Sequence, residues 1–274
     1  MKTMEYTVRD IQLKQLEILH ELDRVCKIAD VQYYLAAGTC LGALRHEGFI
    51  PWDDDIDVFM HWEELERLLE KRELFGEQYF LQCSETEPNI NTVLCRLRDA
   101  KTTCITPEDA DIDINHGVFI DIYVLYPYPD NPILAQKLIY DSFILRILQA
   151  KRGPQNHGKL AQVIGNTIAR LYTEKGREKK IKKIIDEYKN NKGNNYYSIY
   201  FGEDIKLFWA RKYPVKWFMT PHFIQFEDLK APCPTDTLEY CKYRYGENCM
   251  ELPPPEKRIT NHDFIKLDLQ NPYE

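Results

Sequence analysis

The chain lacks any membrane-spanning run: no window of its 274 residues approaches the roughly 18 to 20 uninterrupted apolar residues that a span requires. The amino terminus, MKTMEYTVRD, has no apolar core of the kind a secretory signal carries, so a soluble, cytoplasmic protein is expected. Close cysteine pairs are missing too. The eight cysteines are scattered, no CxxC occurs, and reduced, buried thiols are expected. Cys233, Cys241 and Cys249 recur at a spacing of eight, looser than the paired ligands of structural zinc sites. There is no surplus of positive charge. With 36 Lys and Arg against 43 Asp and Glu, the formal charge is −7, which argues against a dedicated binder of nucleic acid polymers. A single nucleotide as substrate stays open, because metal ions and a few donors suffice to hold it. No internal repeat or low-complexity tract is present.

What is present begins with a helix. Thr7 and Asp10 have the spacing of a capping pair, and Ile11, Leu16, Leu19, Leu22, Cys26 and Ala29 recur at helical spacing up to Asp30. A short strand, Tyr33 to Ala37, a glycine-bounded turn with a short helix through Gly48, a loop closed by Pro51 and a second strand, Ile56 to Met60, are expected next. Residues 61 to 75 have a helical pattern, while YFLQC, VLCRLRD and GVFIDIYVL have the composition of strands, the last a central one. From Pro132 three helical patterns succeed one another, and after Gly193 the chain is rich in Tyr, Trp and Pro. The expected fold is of the α/β (α+β) class, a mixed sheet flanked by helices. Its expected parts are a core over residues 1–130, a helical subdomain over 131–192, and a segment over 193–274 that packs back on the core.

The densest chemistry lies in GTCLGALRHEGFIPWDDDIDVFM, residues 38 to 60. Strand side chains alternate between faces, so Asp55 and Asp57 point one way and Ile56 and Val58 the other. Two like charges side by side repel, and the pairing makes sense with a divalent cation between them. Magnesium, or manganese in its place, suits carboxylate oxygens and a phosphate-bearing substrate. An arbitrary acidic run is more often a solvated loop or a helix cap. This one passes directly into an apolar strand and follows glycines, a threonine, an arginine and a histidine. Gly38 and Thr39, between strand and short helix, can bring backbone N–H groups and a hydroxyl to a phosphate. Arg45 and His46 are candidates for the same substrate, with a plain ion pair as the alternative for Arg45. Asp121, inside GVFIDIYVL, is a third carboxylate whose burial demands a partner, hydrogen bonds or a metal. It can complete a metal site or take the proton of an attacking hydroxyl, and His46, His116 and His262 are the other candidate bases.

Residues 38 to 57 satisfy the pattern G-T-x-L-G-x-x-R-H-x-G-x-I-P-W-D-D-D-I-D at every specified position. The stretch resembles the LicD family of cholinephosphotransferases, which includes the fukutin-related ribitol-phosphate transferases. The similarity continues in RLRDAKTT (96–103), HGVFIDIY (116–123) and YGENCMELPPPEKRITNH (245–262), and is weakest between residues 130 and 220. The resemblance implies a nucleotidyltransferase-like core in which Asp55, Asp57 and Asp121 hold catalytic metal. It implies transfer of a phospho-alcohol, phosphocholine foremost, from a CDP-alcohol donor such as CDP-choline to a glycan hydroxyl, releasing CMP. The acceptor would be a cell-surface glycan (teichoic acid, lipopolysaccharide or capsule) or its lipid-linked precursor. Trp52 and Asp53 join the substrate-binding set, and Arg98 and Arg258 are further candidates for phosphate, with structural salt bridges equally open. Choline would be met by aromatic faces, drawn from Trp52, Tyr123, Tyr126, Trp209, Tyr213 and Trp217, although such rings more often pack a core.

Two other functions compete. A true nucleotidyltransferase would use the same metal geometry on a nucleoside triphosphate, and a non-catalytic glycan-binding protein would be expected to lose carboxylates that this chain keeps. Lys175 to Lys192 adds a question of place: eight basic residues accompany Ile181, Ile184, Ile185 and Tyr188 at helical spacing. Such a helix either docks on an anionic membrane at its cytoplasmic face or packs its apolar stripe on the subdomain core.

Overall fold

Thr7 caps the first helix, α1 (Val8–Ala29), in both directions, its side chain accepting from Asp10 N while the Asp10 carboxylate takes the Thr7 N–H at 2.8 Å. Asp30, in the left-handed region at φ 55°, ends it. The computed structural model describes residues 6–90, 92–151, 158–200, 204–206, 208–260 and 264–273, so His262 lies outside the described residues. After α1 come β1 (Tyr33–Leu35), α2 (Ala37–His46), β2 (Asp57–His61), α3 (Trp62–Glu70), β3 (Tyr79–Gln82), β4 (Cys95–Asp99), β5 (Thr103–Ile105) and β6 (Val118–Pro127). Next are α4 (Pro132–Ala150), α5 (Gly158–Arg170), α6 (Glu174–Lys189), β7 (Tyr196–Ser198), β8 (Ile205–Lys206), β9 (Trp209–Ala210) and β10 (Tyr213–Pro214). The chain closes with β11 (His222–Phe226), β12 (Leu229–Cys233), α7 (Thr237–Tyr245) and β13 (Lys266–Asp268). The mixed α/β class is the expected one.

Two compact units divide these elements. The first takes residues 1–86, 94–124 and 216–274. Its sheet runs β1-β2-β6-β4-β3, with β1 antiparallel to β2 and β4 antiparallel to both β6 and β3. β6 is therefore central, as its composition predicts. Ile18, Leu19, Leu22 and Val25 of α1 are wholly enclosed, each contributing about 1.5–3 kcal/mol by burial. The strand expected to reach Ala37 stops at Leu35, because Ala37 adopts φ 43° and turns the chain into α2. From the C-terminal stretch, for which the sequence suggested no regular element, α7 and the β11–β12 hairpin join this unit. The Ala37 N–H donates to the Tyr240 hydroxyl of α7 at 2.8 Å, and Arg9 grips Glu227 at the hairpin turn with two hydrogen bonds of 2.9 and 2.7 Å.

α1 also does something its apolar pattern hides. Gln12 and Gln15 are buried on it, and Gln12 Nε2 donates to the carbonyls of Ile50 and Asp53 at 3.2 and 2.7 Å. Gln15 Nε2 donates to Asp54 O at 2.9 Å. The loop that carries the acidic run is thus fixed by amides from a rigid helix rather than left to solvent.

The second unit takes residues 87–93 and 125–215. α4 and α6 pack through Leu138, Ile139, Leu145, Ile184 and Tyr188, and the Tyr188 and Tyr200 rings stack at 4.6 Å. Ile181 and Ile185 of α6 rest on the same core, so of the two outcomes open to the basic tract the packed stripe is the one found. Among the described residues no helix is long and apolar enough to cross a membrane, and all eight cysteines are buried free thiols.

Gln12→Leu keeps the volume of the side chain but strips two carbonyls of their donor. It should cost ~1–3 kcal/mol of stability in urea unfolding; a loss below ~0.5 kcal/mol would mean that the loop does not depend on the amide.

Candidate active site

Asp57 opens β2, and its backbone is held from two sides. Its N–H donates to Thr39 Oγ1 at 2.9 Å, and its carbonyl accepts from Ala36 N at 2.9 Å. The first turn of α2 and the start of the acidic strand are therefore one hydrogen-bonded piece. Thr39 spends a lone pair on this link, while its backbone N–H belongs to a helix start whose N-cap residue, Ala36, supplies no capping side chain. Gly38 is a glycine for a steric reason: a Cβ there would collide with the Asp53 carboxylate. The expected phosphate-binding turn and the acidic run lie in direct contact.

Asp57 is only 6 % exposed. Burial first, then the negative charges of Asp55 and Asp121, push its carboxyl well above the usual carboxylate range; Asp53 adds to the shift and Arg244 opposes it. Asp55 and Asp121 thus lie near enough to Asp57 for their charge to act on it. Asp57 Oδ1 is buried and has no hydrogen-bond partner. A hard divalent cation fits that orphaned oxygen and that uncompensated charge. Among the described residues, however, no three His, Cys, Asp or Glu side chains are already closed around a common point. Asp121 is turned instead onto Arg96, whose Nε donates to its Oδ1 at 2.9 Å while Nη1 reaches Asp109 at 2.9 Å. Two carboxylates with substrate oxygens or water would complete a magnesium shell in the usual way.

The remaining candidates separate by what they touch. Arg45 pairs with no acid among the described residues: Nη1 donates to the carbonyls of Cys249 and Glu251 at 2.8 and 3.0 Å, which pins the ENCMEL segment to α2. His46 stands edge-on to Trp52 with ring centroids 6.3 Å apart, and burial together with Arg45 holds its pKa below the ordinary value. Arg258 lies 5.6 Å from the Trp52 ring, so His46, Trp52 and Arg258 form one half-buried cluster beside the acidic run. Arg98 requires a correction. It is 0 % exposed, with Nε on Gln82 Oε1 and Nη1 on Gly117 O, both at 2.7 Å, and it cannot reach a substrate phosphate. Burial, with the like charge of Arg96, brings its pKa down to about 10. His116 is likewise buried, its Nε2 3.0 Å from Ile112 O. Of the aromatic candidates, Tyr123 is half-buried beside the carboxylates; burial, then Asp57, Asp121 and Asp55, raise its pKa. Trp217 is buried against Tyr240 and Tyr243, while Tyr126, Trp209 and Tyr213 belong to the second unit.

Two residues of this site escaped sequence reasoning. Arg96 stands opposite Asp121 in the β4–β6 register and lies over Phe119 at 4.1 Å; the signal was the cross-strand pairing of two oppositely charged residues. Arg244 is one helical turn beyond Tyr240 on α7, and the only clue was that spacing.

A family model described as LicD/FKTN/FKRP, nucleotidyltransferase domain, matches residues 30–89, a window that runs from β1 past β2 and holds Gly38 to Asp57. The chain is 28 % identical over 269 residues to the lipopolysaccharide cholinephosphotransferase LicD of Haemophilus influenzae, covering 93 % of this chain and 96 % of that one. It is 30 % identical over 148 residues to an uncharacterized protein of Rickettsia prowazekii, 53 % of this chain and 48 % of the relative. The α/β architecture agrees with an α+β nucleotidyltransferase-like fold.

The electrostatics of Asp57 set a pH dependence. An acid whose folded pKa is raised destabilises the fold once ionised: the penalty is absent below the unfolded value of about 4, grows above it, and is complete past the folded value. Asp57→Asn should therefore raise the metal-free melting temperature at neutral pH, and the gain should vanish in acid. Added Mg²⁺ should raise the melting point of the native chain and not of the variant. Equal melting points at neutral pH, or an undiminished Mg²⁺ shift in Asp57→Asn, would refute the assignment.

Proposed function

We propose that this chain, a member of the LicD family, is a phosphotransferase that moves phosphocholine from CDP-choline to a hydroxyl of a glycan, releasing CMP. The acceptor we favour is lipopolysaccharide or a lipid-linked glycan precursor, which would bring the enzyme to the cytoplasmic face of the membrane. The observation that carries the proposal is the buried, unpartnered oxygen of Asp57 among like charges, set inside the family motif of a chain similar to a cholinephosphotransferase from end to end.

Asp55 and Asp57, with Asp121, would hold Mg²⁺ or Mn²⁺. Bound there, the ion would neutralise negative charge on the pyrophosphate as CMP leaves. The protein's own groups divide the other tasks. Backbone N–H groups of Gly38 and Thr39 at the start of α2 bind phosphate oxygen, and Arg244, the cation that offsets the charge of Asp57, faces the same oxygens. Asp121 takes the proton from the acceptor hydroxyl, and Arg96 fixes the carboxylate's orientation by occupying Oδ1. Tyr123 offers a ring to the quaternary ammonium. Trp52, flanked by His46 and Arg258, offers a second flat surface at the edge of the acidic run, suited to the cytosine base.

The same carboxylates would serve a nucleotidyltransferase acting on a triphosphate, and the products tell the two apart. Purified protein incubated with CDP-choline, CDP-glycerol or CDP-ribitol in Mg²⁺ should release CMP fastest from CDP-choline; pyrophosphate from CTP without CMP would replace the proposal with the alternative.

Asp55→Asn and Asp57→Asn should each leave less than about a tenth of the native rate, a loss above ~1.4 kcal/mol in transition-state stabilisation. Asp121→Asn should slow turnover strongly while calorimetry still detects donor binding. Native turnover in Asp121→Asn would make that residue a structural partner of Arg96 alone.

A further inference from the structure

Charge is divided unequally along the chain. The unit of residues 87–93 and 125–215 contains 17 Lys and Arg against nine Asp and Glu, a formal +8 on a chain whose total is −7. The rest of the molecule therefore carries −15. So strong a segregation points to an anionic partner for the basic unit. α6 holds seven of these cations against four acids: its apolar stripe is spent on the core, and Lys175, Lys179, Lys182 and Lys183 are exposed.

The same unit displays large apolar side chains where a soluble surface has no use for them. β8 and β9 pair antiparallel, Lys206 opposite Trp209, with Phe208 just before β9. Phe208 adopts φ 66°, a conformation that turns usually give to glycine or asparagine. A phenylalanine there gains no compensating burial, because it is 66 % exposed. Its ring meets Tyr140 of α4 edge-on at 5.9 Å, and Trp209 beside it is also exposed. Ile133, seven residues before Tyr140 on α4 and so on nearly the same face, is 83 % exposed. Cations border the rings: Lys206 Nζ and the Arg211 guanidinium each stand 5.7 Å from the Trp209 centroid.

We infer that this unit docks on an anionic phospholipid bilayer, with Ile133, Tyr140, Phe208 and Trp209 entering the headgroup region and the surrounding positive charge drawing it to the surface. Exposed rings bordered by cations, with an exposed aliphatic side chain on the neighbouring helix, are the composition of an interfacial anchor. A nucleic acid or other polyanion would account for the charge but not for the exposed Ile133 and Phe208. The docking rests on charge and exposure alone and does not depend on which reaction the carboxylates perform.

Co-sedimentation of the full chain with vesicles tests it. The protein should pellet with phosphatidylcholine vesicles enriched in phosphatidylglycerol at low salt, pellet poorly with pure phosphatidylcholine, and be released by high salt. The double variant F208S/W209S should weaken partitioning about tenfold or more. Ile133→Ser, at a position too exposed to affect folding, should weaken it severalfold, which guards against an unfolded double variant. Failure to pellet with anionic vesicles, or pelleting unchanged by both variants, would overturn the inference. So would retention on heparin without vesicle binding, since that would assign the charge to a soluble polyanion.

Discussion

A carboxylate buried against carboxylates is the constraint from which the first unit is built. Asp57 is enclosed, and Asp55 and Asp121 face it with charge of the same sign. Left alone such a set would splay apart, because repulsion in a desolvated place is far stronger than at a wet surface. The scaffold prevents this through backbone hydrogen bonds rather than through the acids themselves. Thr39 and Ala36 hold the main chain of Asp57, Gln12 and Gln15 hold the loop before it, and Arg96 holds Asp121 from the neighbouring strand. The negative charges are thereby brought together in advance of any cation, which is what electrostatic preorganisation requires of a site.

The arginines show how strongly position decides role. Arg96 and Arg98 sit two residues apart on β4, and both guanidiniums lie over Phe119, at 4.1 and 4.6 Å. Arg96 remains slightly open and points at Asp121; Arg98 is sealed, bonded to Gln82 and a backbone carbonyl. One can reach a site and the other can only support the strands around it. Arg45, two turns into α2, is a brace for the segment around Cys249, and that brace brings the chain after α7 to the motif.

Elements with a strong periodic signal were legible from the sequence. α1 starts at the Thr7 cap and ends at Asp30 because both residues carry local hydrogen-bonding or left-handed capacity that needs no tertiary help. β6 was legible from its apolar run, and the stretch from Gly38 to Asp57 carried the densest candidate chemistry and the family resemblance. The parts that stayed hidden are those fixed by partners far along the chain. Gln12 and Gln15 look like surface polar residues until the loop of Ile50 to Asp54 closes on them, and α7 has a weak apolar face whose Tyr240 gains meaning only from Ala37 more than 200 residues earlier. Arg98 was misassigned for the same reason: a guanidinium near an acidic site is ambiguous until its burial is known.

The basic tract of α6 illustrates how a sequence pattern can be right in kind and wrong in place. Basic residues with an apolar stripe suit an anionic surface, but a helix cannot use one apolar stripe twice. Because Ile184 and Tyr188 are committed to the core with α4, the exposed residues of α6 are charged, Lys175, Lys179, Lys182 and Lys183 among them. Apolar contact with a partner must then come from other elements, and the unit supplies it at the β8–β9 pair and on α4, where Phe208 keeps a costly backbone conformation without burying its ring. A side chain kept in such a place is easiest to understand if its favourable contacts are made outside the chain. The two units thus carry opposite charge with different surroundings: one gathers Asp55 and Asp121 about the buried Asp57, and the other combines exposed lysines with exposed rings.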